Sequence, residues 1–248
     1  MKLDILLVLS YVAMLIVMAI GLTLSTGTLR EIWSTEGFLL VVGGTVLATL
    51  ASLSTRDLRD AVQALRVAFT ETAYDTEKLI ADFVNYATIS RKDGLLGLEK
   101  VVGSIDDGFF GRAVQMAIDG VAPDLVEERL TVEVTGMEER HLRTRATFDT
   151  MATFAPAFGM IGTIMGLVLV LKGLDNPSRL GPKMGVALLS TFYGVFTCYA
   201  IFTPISKKLE RKHKHENLYR EMIVRGIFWL QTGDSPRTIE AKLRSFLR

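Results

Sequence analysis

Four stretches of this chain carry no charged residue: Ile5 to Leu29, 25 residues; Gly37 to Thr55, 19; Thr150 to Leu171, 22; and Met184 to Ser206, 23. A helix of about 20 apolar residues crosses the hydrocarbon core of a bilayer, where each backbone polar group must be satisfied within the segment. Each stretch therefore predicts a membrane-spanning helix. The first is too long for the apolar core of a signal peptide and lacks a small-x-small cleavage site, so it reads as a retained span.

Between the second and third runs the pattern becomes that of amphipathic helices. Ser54-Thr55-Arg56-Asp57 resembles a capping box, and Leu58, Val62, Leu65 and Phe69 follow on one helical face. Asp75 opens another helix, with Leu79, Ile80, Phe83, Val84 and Ala87 as its stripe. Asp93-Gly94 and Asp107-Gly108 read as breaks, and Pro123 suits the first turn of a long helix that runs to the third span. After the fourth run, Leu209, Leu218, Met222, Ile223 and Ile227 make an amphipathic tail helix ending near Gln231-Thr232-Gly233-Asp234. No strand pattern and no internal repeat is visible. The expected fold is an all-α integral membrane protein: four transmembrane helices, a helical cytoplasmic domain between the second and third, and an amphipathic C-terminal tail. The expected divisions are 1–55, 56–149, 150–206 and 207–248.

Charge sets the orientation. Arg56, Arg59 and Arg66 follow the second run, Arg140, Arg143 and Arg145 precede the third, and Lys207, Lys208, Arg211 and Lys212 follow the fourth. By the positive-inside rule both termini and the middle segment are cytoplasmic, although Lys172, Arg179 and Lys183 make one outside loop basic. Residues 56–149 carry 12 basic and 18 acidic residues, net −6, and 207–248 carry 11 and 5, net +6. The two pieces either attract each other, present opposite faces to a partner, or are simply two differently charged solvated faces.

Composition removes several classes. The chain is 49% hydrophobic with a mean hydropathy of +0.33, which argues against a soluble enzyme. Its net charge of +1 shows no bias toward nucleic acid. One cysteine, Cys198, and three histidines without ligand-like spacing give neither a disulfide nor a metal signature. With no nucleophile–base set and no phosphate loop, no enzymatic activity and no cofactor is expected.

The spans contain no Asp, Glu, Lys, Arg or His, so this chain alone cannot carry a proton relay through the membrane. It offers hydroxyls instead: Thr163 in the third span, and Ser190, Thr191 and Tyr193 in the fourth. These can coordinate a hard cation or share a proton with a carboxylate from another chain, or they can bond back to helical carbonyls. Gly159, Gly162 and Gly166 make a small-residue stripe that permits close helix approach, as do Gly43 and Gly44. Pro156 and Pro204 each remove a backbone donor and predict kinks.

Pro156-Ala157-Phe158-Gly159-Met160-Ile161-Gly162-Thr163, the turn Asp175-Asn176-Pro177 through Gly181-Pro182, and Ala187-Leu188-Leu189-Ser190-Thr191-Phe192-Tyr193-Gly194 resemble the MotA/PomA flagellar motor stator family, within the MotA/TolQ/ExbB superfamily. The resemblance covers essentially the whole chain. It implies a multi-pass protein of the bacterial inner membrane, five copies of which surround a dimer of a single-span MotB/PomB-type partner whose Asp carries the ion. Ion flow then turns the rotor through the rotor protein FliG. On this resemblance Pro156 and Pro204 take part in conformational coupling. Arg91 and Glu99, in Arg91-Lys92-Asp93-Gly94-Leu95-Leu96-Gly97-Leu98-Glu99, occupy the rotor-contact positions; Lys100 departs from PomA, which has an acidic residue there. Thr163 and Thr191 match threonines of sodium-driven relatives, which favours sodium over protons as the transported ion. The nearest alternative is an ExbB/TolQ-like energiser of envelope processes, a group with three spans rather than four. A secondary transporter is disfavoured by the lack of membrane-embedded charge, inverted repeats and broken helices. A scaffold without transport is the remaining rival.

Overall fold

A computed structural model describes residues 2–26, 32–71, 74–175 and 177–247. Leu29, the expected end of the first run, and Asn176, in the expected outside turn, lie outside the described residues. The chain divides into two compact units, one of residues 1–72 with 142–210 and the other of residues 73–141 with 211–248.

In the first unit α1 (Ile5–Thr26) is apolar throughout. The helix Thr35–Ser52 consists of α2 (Thr35–Phe38), a π-helical turn (Leu39–Gly43) and α3 (Gly44–Ser52). The Ser54 hydroxyl accepts from Asp57 N at 3.2 Å while the Asp57 carboxylate accepts from Ser54 N at 3.1 Å, the expected capping box, and α4 (Thr55–Ala68) follows. The Ser54 hydroxyl, donating to Asp57 Oδ2 at 2.6 Å, and then Ser54 N hold the Asp57 carboxyl below its ordinary range. The long helix α8 (Pro123–Leu171) contributes its second part to this unit, followed by α9 (Leu180–Phe196), a π-helical segment (Thr197–Phe202) and the start of α10 (Thr203–Gln231). Among the described residues three helices, Thr35–Ser52, Pro123–Leu171 and the continuous Leu180–Gln231, are long and apolar enough to cross a membrane, and Ile5–Gly21 is a shorter apolar helix. Their large side chains, such as Leu9, Leu47, Ile164 and Leu188, point outward, which is stable only in a nonaqueous surround or against another chain.

The all-helical expectation needs one correction. Lys2–Leu3 (β1) pairs antiparallel with Thr70–Glu71 (β2), Leu3 opposite Thr70. Two residues are too few to show a period of two, so no pattern announces them.

The second unit packs α5 (Thr76–Asp93), a 3₁₀ turn (Leu95–Leu98), α6 (Glu99–Val102), α7 (Gly108–Ile118), the start of α8, the end of α10 and α11 (Pro236–Arg244). Leu79, Ile80, Phe83, Leu130, Met222, Ile223, Ile227 and Ile239 form its buried core. Each such side chain contributes about 1.5–3 kcal/mol when fully buried. Gly226 is required in this core because a Cβ there would lie 2.7 Å from Phe83 Cε1. Asp75 and Asp107 cap α5 and α7. The oppositely charged pieces of sequence attract: Arg220 bonds Asp107 at 2.8 and 3.0 Å, Arg225 pairs with Glu127, and Arg244 with Glu77 at 3.1 Å. His141 and His213 bring their Nδ1 atoms to 3.4 Å. Burial, then the neighbouring His213, pushes the His141 imidazole below its usual range toward the neutral form, against the pull of Glu216.

Candidate functional site

The site begins with glycines. On α8, Gly159, Gly162 and Gly166 recur every three or four residues and therefore share one face. That face meets α9 backbone to backbone. A Cβ on Gly159 would lie 3.0 Å from Ser190 O, one on Gly162 2.5 Å from Ser190 Cβ, and one on Gly166 2.6 Å from Ala187 Cβ. On α9, a Cβ on Gly194 would lie 2.7 Å from Ala155 O and 3.1 Å from Gly159 Cα.

This approach brings two hydroxyls together. Thr163 Oγ1 and Thr191 Oγ1 share a short hydrogen bond, and Thr163 Oγ1 lies 3.0 Å from Gly159 O and 3.1 Å from Ala187 O. A hydroxyl has one proton, so Thr163 donates to only one of these acceptors at a time. The result is four neutral oxygens gathered at one place, where neither spanning run supplies a charge. Thr191 is exposed and Thr163 half-buried, so the cluster opens at the surface of the helix pair. Chemically it can solvate a cation in part, but it cannot neutralise one.

The other two hydroxyls are committed elsewhere. Ser190 is buried and donates to Val186 O at 2.8 Å, back onto its own helix. Tyr193, also buried, donates to Ile32 O at 2.5 Å and accepts from Ser34 N at 2.8 Å. It ties the chain entering α2 to α9 rather than facing an open path.

Both prolines sit inside the helical run. Pro156 interrupts the hydrogen-bond ladder of α8 beside the Gly159–Gly194 contact. Pro204 follows the π-helical segment, where Thr203 N reaches back to Cys198 O, so the i→i−5 register absorbs the discontinuity. Arg91, in the last turn of α5, and Glu99, at the start of α6, are exposed on either side of Gly94, whose φ of 74° turns the chain. Neither forms an ion pair among the described residues.

Sequence reasoning passed over a polar junction below these spans. Ser206 is buried and donates to Asp149 Oδ1 at 2.5 Å; Arg145 bonds Asp149 at 3.2 Å and approaches Glu210 at 3.7 Å, and Lys208 pairs with Asp4. The available signal was positional: Asp149 is the last charge before the third run and Ser206 the last residue of the fourth.

Residues 102–222 match the MotA/TolQ/ExbB proton channel family. The chain is 36% identical to YtxD of Bacillus subtilis (strain 168), with 93% of this chain and 86% of that one covered. It is 32% identical to motility protein A of the same organism, covering 94% and 86%, and 34% identical to chemotaxis protein PomA of Vibrio alginolyticus, covering 94% and 90%. Among solved structures, that of C. jejuni MotAB superposes with a TM-score of 0.91 at 28% identity, covering 99% of this chain and 96% of that one. The flagellar MotAB stator complex of Bacillus subtilis superposes at 0.84 with 31% identity, covering 94% of each.

Proposed function

The chain belongs to the MotA/PomA motility family within the MotA/TolQ/ExbB proton channel family, and from that premise we propose how it works as a flagellar stator subunit. Its solved relatives are MotAB complexes, and it acts with a MotB-type partner in the inner membrane. Four spans, with both termini and residues 56–149 and 207–248 on the cytoplasmic side, are consistent with the charge-free runs and the arginines beside them. Five copies surround a dimer of the single-span partner.

The observation that carries the reading is the oxygen cluster at Thr163 and Thr191, which lacks a charge of its own. A carboxylate from the partner helix completes it. Thr163 and Thr191 then supply neutral ligands to a dehydrated sodium ion, or accept hydrogen bonds along a proton's path. Sodium is favoured because two hydroxyls and two carbonyls exceed what a proton requires. Ser190 and Tyr193 serve this path by position: Ser190 seats Gly162, and Tyr193 fixes the entry of α2. When the carboxylate is neutralised it no longer holds the same hydrogen bonds, and α8 can shift at Pro156 and the continuous α9–α10 helix at Pro204, where each lacks a backbone donor. Arg91 and Glu99, exposed and without an ion pair among the described residues, make weak, rapidly exchanged contacts with FliG.

Co-expression with a candidate partner in a stator-deletion strain tests this. Swimming is expected to return, to depend on sodium concentration and to survive a protonophore. Failure to swim, with both proteins in the membrane, rejects the stator role for that pair and favours an envelope energiser. In the same strain Arg91→Glu or Glu99→Lys is expected to lower torque at unchanged membrane abundance, with partial recovery from opposite charge changes on the rotor.

A further inference from the structure

We propose that α4 is a docking surface for the anionic headgroup layer of the cytoplasmic leaflet, lying in the plane of the membrane interface. This rests on the membrane reading above. Both ends of α4 are tied to places where the chain enters the bilayer. Thr55 follows α3 after two residues, and the Ser54–Asp57 capping box fixes that turn. At the other end, β2 pairs with β1 and Asp4 N donates to Phe69 O at 3.0 Å, immediately before α1 begins at Ile5. The inner face, Ala61 and Ala68, packs on Phe148 and Ile205, two residues before the third run and next to the last residue of the fourth. A helix of 14 residues is about 21 Å long. Held at the margins of all four runs, it cannot point away from the bilayer.

The outward side has the order of polarity that such a position requires. Leu58, Val62 and Leu65, at steps of four and three, form one stripe and are 43%, 54% and 40% exposed. About a quarter turn around the helix stand Arg59 and Arg66, exposed and without an ion pair among the described residues. Arg56 and Gln63 come next and Asp60 lies beyond them, with one partly exposed apolar side chain, Val67, in between. The stripe enters the acyl region, and the two guanidiniums reach the phosphates at its edge. Two unpaired arginines on that edge select anionic over zwitterionic lipid.

The test uses the co-expressed complex with its single-span partner, reconstituted in mixed phosphatidylglycerol and phosphatidylcholine vesicles. A polarity-sensitive fluorophore is placed at Val62→Cys in a Cys198→Ser background, which leaves one thiol in this chain. Brominated phosphatidylglycerol is expected to quench it more steeply than brominated phosphatidylcholine at equal mole fraction, roughly fivefold for each arginine in reach. Arg59→Gln with Arg66→Gln is expected to bring the two lipids to near equality while quenching persists. A label at Leu47→Cys, on the outward face of α3, reports span insertion independently. Quenching at 47 without quenching at 62 overturns the docking surface, with a second copy covering the stripe as its occupant. Equal quenching at 62 by both lipids in the chain with both arginines overturns the anionic selectivity. Absence of quenching at both positions overturns the membrane reading and this one with it.

Discussion

Gly194→Ala is expected to abolish motility and to lower the thermal unfolding midpoint of the purified complex. The added methyl would lie 2.7 Å from Ala155 O, 3.1 Å from Gly159 Cα and 3.2 Å from Pro156 Cα. All three are backbone atoms, so no side chain can rotate away, and relief comes only if α8 and α9 separate. Overpacking of this kind costs about 1–3 kcal/mol. It also opens the Gly162–Ser190 and Gly166–Ala187 contacts that set the separation of Thr163 and Thr191. Gly185→Ala is the control: a Cβ there meets nothing within 4 Å, and alanine favours the helix by up to ~1 kcal/mol, so its unfolding midpoint should hold or rise. Equal unfolding midpoints for the two variants would mean that the close α8–α9 approach is not what the subunit depends on.

Some parts of this structure could be read from sequence because their causes are local. The charge-free runs, the capping box at Ser54, the cap at Asp75 and the start of α8 at Pro123 each depend on residues within one or two turns. Helix α11 was missed for the converse reason. It buries only Ile239 and Leu243, too few to mark a stripe, although Ser235 and Pro236 form a plain N-terminal signal. The β1–β2 pair joins residues almost 70 positions apart. The two π-helical segments lie within apolar runs where nothing distinguishes i→i+4 from i→i+5 bonding. The candidate site divides in the same way. Thr163 stood out as a hydroxyl in a glycine stripe, and its meeting with Thr191 follows once that stripe faces α9. Ser190 and Tyr193 carry the same chemistry, but their partners, Val186 O and Ile32 O, depend on side-chain direction and on a segment some 160 residues away, which composition cannot report.

Thr163→Ala and Thr191→Ala are each expected to raise the sodium concentration for half-maximal motor speed by roughly tenfold, with little change in membrane abundance. Each change removes one oxygen from the cluster. A hydrogen bond or ligand contact to a charged species is worth about 1.5–3 kcal/mol, and 1.4 kcal/mol is a factor of ten. The folded chain loses less, because Thr163 Oγ1 has only one proton to distribute among Gly159 O, Ala187 O and Thr191, and a neutral hydroxyl–carbonyl bond contributes about 1 kcal/mol. The ion and the fold therefore respond to different extents. Thr163→Ser separates them further: it restores the oxygen without the methyl, so sodium dependence should return toward the parent. A proton requires only the partner's carboxylate and water, so proton-driven rotation should change little in either alanine variant. Motor speed measured against sodium concentration decides the matter. An unchanged curve in both variants, or full speed of the parent without sodium, would remove sodium from the assignment and leave the stator role in place.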